Sequence, residues 1–265
     1  MNIIVCLKQV PDTNEVRINQ ETGTLIRYGV PSIINPDDKN GLEEALRLRD
    51  EFGGKVTVIS MGPPQAKEAL REAVAMGADE VYLVSDRAFG GSDTWATATV
   101  LTAAIEKIRN YDLIICGRQA IDGDTAQVGP EIAEFLGIPQ VTYAKKIDVK
   151  EDKFIVERFT ETGDYVIEVS KPVLLTAIKE LNNPRYPSVK GIYKAYRDLK
   201  DEEIKVLTLA DLDIDTTQIG LKGSPTNVYK SFVPVKNKEN KIFNDSNIKG
   251  NVEELMNELH QLKLV

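Results

Sequence analysis

Histidine is almost absent from this chain: His260 is the only one in 265 residues. One imidazole excludes a Ser–His–Asp triad and any metal centre built on several histidines, and His260 itself reads as a solvated residue of a terminal helix. Cysteine is nearly as scarce. Cys6 and Cys116 both lie inside apolar runs, where a thiol behaves as a small hydrophobe, so no disulfide framework is implied and a reducing compartment is expected. Neither a Gly-x-x-x-x-Gly-Lys-Ser/Thr loop nor a Gly-x-Gly-x-x-Gly fingerprint occurs, which removes the main support for P-loop hydrolases, ordinary kinases and Rossmann dehydrogenases. Apolar runs are short. None approaches the ~18 residues of a membrane-spanning helix, and the opening run Ile3-Ile4-Val5-Cys6-Leu7 is too brief for a signal peptide. Positive charge is in deficit, with Lys plus Arg at 33 against Asp plus Glu at 41 and a net charge of −8. A nucleic-acid groove needs a basic footprint, so that class is excluded. What remains is a soluble, acidic, cytoplasmic protein with no membrane span, long enough to bury a full core.

What is present is an alternation of strand and helix signals. Ile3–Leu7, Val56–Ser60, Val81–Val84, Leu113–Cys116 and Val173–Ile178 are apolar runs of strand length. Between them, apolar residues recur at helical spacing. Leu42, Ala45 and Leu46 mark a helix with Asp37 or Asp38 as its N-cap; Ala66, Ala69, Leu70, Ala73 and Val74 mark another, ending at Gly77. Ala96, Val100, Ala103 and Ala104 mark a third, opened by Ser92 or Asp93. Such alternation implies right-handed crossovers and an α/β fold with a doubly wound, mostly parallel sheet. From Val141 to about Val169 the pattern changes to alternating segments, Lys146–Val149, Phe154–Arg158 and Tyr165–Val169, which read as an antiparallel meander. The expected division is an α/β domain over residues 1–199 and a C-terminal arm over 200–265. The arm shows little strand or helix signal before Asn247 and ends in an apolar stripe, Val252, Leu255, Met256, Leu259 and Leu262, capped by Asn251 with Glu254. Such a helix either folds back on its own sheet or reaches a partner subunit.

The most informative stretch runs from Asp112 to Pro130. The apolar run Leu113–Cys116 breaks at Gly117 into a polar loop, and a helical pattern follows from about Gln127 to Leu136, closed by Gly137. Strand, glycine-bearing loop and helix N-terminus together bind anions, because unpaired backbone N–H groups point outward there. Arg118 is the loop's only cation, so the loop reads as a nucleotide cradle using backbone donors for phosphate and side chains for a sugar. Asp122 and Asp124 are close enough to serve as a carboxylate pair at a metal, though paired aspartates in a turn are commonly turn formers. Lys8–Asp12, Asn35–Asp38 and Ser60–Pro64 are further loops suited to rim one crevice beyond the strand ends. Gly90-Gly91-Ser92-Asp93-Thr94 precedes a helix and suits either a phosphate or an ordinary turn.

These residues carry a resemblance. Cys116-Gly117-Arg118-Gln119-Ala120-Ile121-Asp122-Gly123-Asp124-Thr125-Ala126-Gln127-Val128-Gly129-Pro130 closely resembles the nucleotide loop of the β subunit of electron-transferring flavoproteins. Val5–Asp12, Ile34–Asp38, Ala75–Asp79 and Asn183–Tyr186 are similar to the same family, in register from the first residue to about Ala195. The resemblance implies the family's adenine-nucleotide-binding α/β fold and a heterodimer whose α subunit carries FAD. The β subunit holds AMP in simple members and a second FAD in electron-bifurcating ones. It places the nucleotide at Cys6, Asn35, Pro36, Asp37, Asp38, Met61, Gly117, Arg118, Gln119, Ala120, Ile121, Asp122, Gly123, Asp124, Thr125, Ala126, Gln127 and Val128. Backbone N–H groups of Asp124, Thr125, Gln127 and Val128 are expected to meet the phosphates.

Gly123 and Ala126 stand where simple members carry larger residues, which leaves room for a flavin, and Gly90, Gly91, Ser92, Asp93 and Thr94 resemble the NADH loop of the bifurcating type. The expected function is therefore hydride acceptance from NADH by a β-bound FAD. The electrons then divide between ferredoxin or flavodoxin and, through the α-subunit FAD, an acyl-CoA dehydrogenase. Tyr186, Val189, Lys190 and Ile192 lie at the family's recognition loop for that dehydrogenase, with Val189 where leucine is frequent. The family shifts the terminal helix toward the partner-docking reading. The alternatives are a non-bifurcating subunit that holds AMP structurally, or an adenine-nucleotide-binding hydrolase or sensor.

Overall fold

In a computed structural model, residues 1–12, 31–229, 240–244 and 246–264 are described. The β-branched run at the start favours extended backbone, and Asn2–Cys6 forms β1 with all but its first residue buried. Gln9–Pro11 (β2) and Ser32–Ile34 (β3) pair antiparallel as a small separate ribbon. Then follow α1 (Pro36–Phe52), β4 (Lys55–Met61), α2 (Lys67–Met76), β5 (Glu80–Val84), α3 (Thr94–Ile108), β6 (Leu113–Gly117) and α4 (Val128–Leu136). β7 (Gln140–Lys150), β8 (Lys153–Arg158), β9 (Tyr165–Ser170), β10 (Val173–Ala177), α5 (Val189–Tyr193), β11 (Lys205–Leu207), α6 (Gly220–Gly223) and α7 (Ile248–Gln261) complete the order.

The large sheet has nine strands in the order β11-β5-β4-β1-β6-β10-β7-β8-β9. All neighbours from β11 to β7 pair parallel, while β7, β8 and β9 pair antiparallel. The chain runs outward from β1 through β4 to β5, then returns to lay β6 on the other side of β1. That reversal leaves a crevice at the carboxyl ends of β1 and β6, the switch point where open α/β sheets bind ligands. Helices cover both faces. Leu42, Ala45, Leu46 and Leu48 of α1 and Leu70 and Ala73 of α2 join one core. Ala98, Leu101 and Ile105 of α3 and Ile132 and Ala133 of α4 join the core on the opposite face. The doubly wound, mostly parallel α/β sheet read from the sequence is the observed architecture.

The alternation predicts a meander from Val141, but antiparallel pairing starts at Ala144. The first residues of β7 pair parallel with β10, and the strand turns to antiparallel pairing with β8 after an irregularity near Ala144. Tyr143, at φ 58, marks the bend and its N–H is satisfied by Thr176 Oγ1 at 3.0 Å. Fully buried Phe154 and Val156 fix the β8 register, because a slip of one residue would turn both toward the other face.

Two helix starts differ from expectation. Asp37 and Asp38 do not cap α1. Its N-cap is Asn35, Pro36 occupies the first turn, and both aspartates lie buried inside that turn. Proline suits this position because its missing N–H has no helical partner there. The terminal helix starts at Ile248 with Asn247 as its cap, accepting from Gly250 N at 3.2 Å, rather than at Asn251. A third difference concerns the stretch after Lys200, which carried little strand signal. Lys205–Leu207 nevertheless adds β11 to the sheet edge beside β5, and Ile204, Leu207, Leu212 and Ile219 are buried. The compact body extends from Met1 to Tyr229, and Lys230–Val265 forms a second unit. Residues 230–239 of the expected arm lie outside the described residues. In the second unit α7 exposes Val252, Leu255 and Met256. Among the described residues, no helix is long and apolar enough to cross a membrane.

Candidate functional site

Three strand ends and two helix starts converge at the switch point. Cys6 and Cys116 are register partners on β1 and β6, both buried as free thiols at the floor. Their mutual hydrogen bond, burial and the nearby Asp38 charge push the Cys116 thiol well above the usual range. Met61 ends β4 beside β1, half-buried. The first turn of α1 enters between the loops that follow β1 and β6. It comes so close that a Cβ on Gly117 would lie 2.2 Å from Asp38 Oδ1 and 2.6 Å from Asp38 N. Gly117 is therefore required by packing.

Asp38 ties the two strand ends together. Its Oδ2 accepts from Lys8 N at 2.7 Å and its Oδ1 from Gly117 N at 2.9 Å. Burial pushes the carboxyl up to about 7, against the pull of hydrogen bonds from Lys8, Asn35 and Gly117, and the charge of Asp37 adds to the rise. Asn35, with no exposed surface, does the same for the loop beyond β6: Nδ2 donates to Gln119 O at 2.8 Å, and Oδ1 accepts from Ile121 N at 3.1 Å. Asp37 is held above the ordinary carboxylate range by burial, opposed by Arg118 and assisted by Glu180. Arg118 Nε stands 3.2 Å from Asp37 Oδ2 as an ion pair without hydrogen-bond alignment.

The loop from Arg118 to Gln127 is a turn with strained backbone. Gly123 N and Asp124 N both donate to Ala120 O, at 3.1 and 2.8 Å. The Asp124 N–H expected to meet a phosphate is thus committed inside the turn. Asp124 and Ala126 sit at φ 51 and 54, a region costly for alanine and of the kind found at ligand sites. Around Gly123, by contrast, a Cβ would meet nothing within 4 Å. α4 starts after Gln127 with no side-chain cap, and Pro130 in its first turn has no N–H to satisfy. An uncapped helix start at the switch point offers its free donors to an anion.

Arg118 is not the only cation at this loop. Lys8, from the far side of the crevice, places Nζ 2.6 Å from Asp122 Oδ1. In the sequence Lys8 stands out only as part of a rim segment, since a contact across 114 residues has no local signature. Asp124 accepts from Gln119 Nε2 at 2.8 Å. The two loop aspartates therefore face different partners within the protein.

Gly90, Gly91, Ser92, Asp93 and Thr94 lie at the start of α3. Asp93 caps it, accepting from Ala96 N at 3.0 Å, and its other oxygen accepts from Thr226 N and Oγ1. Ser92 Oγ accepts from Gly220 N at 3.1 Å, and Gly90 O from Leu221 N at 3.1 Å. Thr94 Oγ1 donates to Glu131 Oε1 at 3.0 Å, which joins this segment to the first turn of α4 beside the loop that follows β6. Burial, with the Asp93 charge, holds the Glu131 carboxyl above its usual range although Thr94 opposes it. Tyr186 stands apart from this crevice on the loop before α5, and Val189, Lys190 and Ile192 lie on α5 itself; Arg185 ties that loop to α1, bonding Glu43 at 2.8 Å and Asp50 at 2.8 Å. Tyr186 is 95% exposed and Val189 87%.

Comparison with known proteins agrees with this geometry. The model of the electron transfer flavoprotein domain matches residues 22–212. An electron transfer flavoprotein subunit beta from Thermoanaerobacterium thermosaccharolyticum is 62% identical over 265 residues, covering 100% of both chains. One from Clostridium acetobutylicum is 64% identical over 231 residues, 87% of each chain. The caffeyl-CoA reductase-Etf complex subunit CarD of Acetobacterium woodii is 57% identical over 235 residues, 88% of each. With its switch-point crevice and these relatives, the chain belongs to the electron transfer flavoprotein family, as the β subunit of a heterodimer.

Proposed function

We propose that this β subunit binds FAD at the switch-point crevice and works in electron bifurcation. The observation that carries the choice of FAD over AMP is Gly123. Its surroundings are open and its backbone is not left-handed, so nothing inside the fold demands a glycine there. A small residue in open space at the loop tip is accounted for by a ligand larger than AMP. The N-terminus of α4 suits a diphosphate held on backbone donors. A flavin held there would supply the conversion between paired and single electrons, with NADH as the hydride donor and with ferredoxin or flavodoxin and, by way of the α-subunit FAD, an acyl-CoA dehydrogenase as the one-electron acceptors of this reading.

The chain's own residues bind and orient. Cys6, Pro36, Asp37, Met61 and Gly117–Val128 line the nucleotide's place, with Asn35 and Asp38 behind them. Gly90–Thr94 is the NADH segment in this reading, and its link to α4 through Thr94 and Glu131 supports that position. Tyr186, Val189, Lys190 and Ile192 form the dehydrogenase contact, supported by the exposure of Tyr186 on a braced loop and of Val189 at the start of α5. The caffeyl-CoA reductase-Etf name of the Acetobacterium woodii relative fits an acyl-CoA partner.

The test is an inventory of the co-purified pair. Denaturation should release two FAD per heterodimer, and NADH should bleach both flavins in the visible spectrum. Release of one FAD and one AMP, with no bleaching by NADH, would sink the proposal.

A further inference from the structure

We propose that Asn35 and Asp38 serve the nucleotide without touching it, as positioning residues that brace the β1 and β6 loops on the first turn of α1 and so set the spacing of the crevice. This rests on the nucleotide reading above and changes the role of two residues within it. Asn35 is 0% exposed and Asp38 6%, so neither offers a ligand much surface. Their hydrogen bonds run instead to loop backbone. Asn35 N also donates to Lys8 O at 2.9 Å, so the first turn of α1 holds Lys8 by its carbonyl at one residue and by its N–H at another. On the other side the same turn holds Gly117 by its N–H, Gln119 by its carbonyl and Ile121 by its N–H.

The side-chain types follow from this pattern. Asn35 must present a donor to Gln119 O and an acceptor to Ile121 N–H, and a planar amide carries one of each. Asp38 must accept from N–H groups on two strands, and a carboxylate has two acceptor oxygens. Exchanging the types sets like atoms against each other. An aspartate at 35 turns an oxygen on the Gln119 carbonyl, and an asparagine at 38 turns an NH2 on a backbone N–H. The Lys8–Asp122 ion pair then crosses the crevice between the two loops so fixed. Pro36, exposed in the middle of the motif, remains free to meet a ligand.

The experiment uses the co-expressed heterodimer stripped of nucleotide, with AMP and FAD as separate probes. Asn35→Asp and Asp38→Asn should each weaken both probes at least tenfold. They should also raise amide hydrogen exchange at Lys8, Gly117 and Ile121 while β4 and β8 keep their protection. A merely structural residue would lower stability without confining the exchange to those amides. Wild-type affinity with those amides still protected overturns the brace. Should either variant fail to assemble, the nucleotide-free wild-type pair decides: the brace requires Lys8, Gly117 and Ile121 amides to be protected before any ligand is added, and rapid exchange there overturns it. Failure of the wild-type pair to bind AMP or FAD removes the nucleotide reading and the brace together, whereas normal wild-type binding with unaffected variants removes the brace alone.

Discussion

Two glycines six residues apart are small for opposite reasons. Gly117 has backbone and a carboxylate within 2.6 Å of any added Cβ, whereas Gly123 has nothing within 4 Å. Gly117→Ala is expected to destabilise the chain by about 3 kcal/mol, the upper end of overpacking costs, because α1 must move away from β6. Gly123→Ala should leave stability within about 0.5 kcal/mol of wild type yet weaken flavin retention. Urea unfolding and flavin content of the pair measure the two effects; similar stability losses in both would refute the distinction. Asp38 gives a pH prediction. Its carboxyl is raised to about 7 in the fold, above the ~3.9 of an unfolded chain. A raised carboxyl favours the fold most below its unfolded value, and that contribution drains away as pH rises through about 7. Asp38→Asn does not titrate, so its unfolding free energy should fall less between about pH 4 and 7 than that of wild type. Equal slopes would rule out Asp38 as the source.

Among elements, the segment around Tyr186 and Val189 and helix α7 carry the exposed apolar side chains that the proposed function assigns to partner contacts. Val189→Asp, at a position 87% exposed, should change stability by no more than about 0.5 kcal/mol. Electron transfer from the heterodimer to its dehydrogenase should nevertheless fall at least tenfold, read in a stopped-flow assay with both proteins present. Unchanged transfer would detach the loop from recognition. On α7, Leu255 and Met256 are each 43% exposed, and burying what remains of two such side chains against a partner is worth about 2 kcal/mol in total. Leu255→Glu with Met256→Glu should therefore weaken the heterodimer at least about thirtyfold, seen as dissociation on dilution in size-exclusion chromatography. A heterodimer as tight as wild type would return α7 to its own chain.

For the whole molecule, parallel-sheet order and local periodicity are different kinds of information. Strand runs and helical spacing between residues 1 and 137 were readable because each is written within about a dozen neighbours. Glycine at 77 and 137 ended α2 and α4 as read. Strand β11 was not readable: three residues at a sheet edge, held by pairing with β5, carry little periodicity of their own. The α1 start misled for a related reason. Aspartate ordinarily caps, but here Asn35 and Asp38 spend their hydrogen bonds on loops brought in from residues 8 and 117–121. Lys8 reached the site unannounced by the same route.

From its sequence alone the chain determined its α/β class, the place of the polar loop after β6 and its family, because each rests on local pattern and residue identity. Tertiary structure decided which residues of that region hold others in place, burying Asn35 and Asp38 against loop backbone. It also added Lys8 to the loop's cations and closed Asp124's N–H into a turn. Hydrogen bonds and ion pairs between segments up to 142 residues apart exist only after the sheet has formed, and no local pattern encodes them.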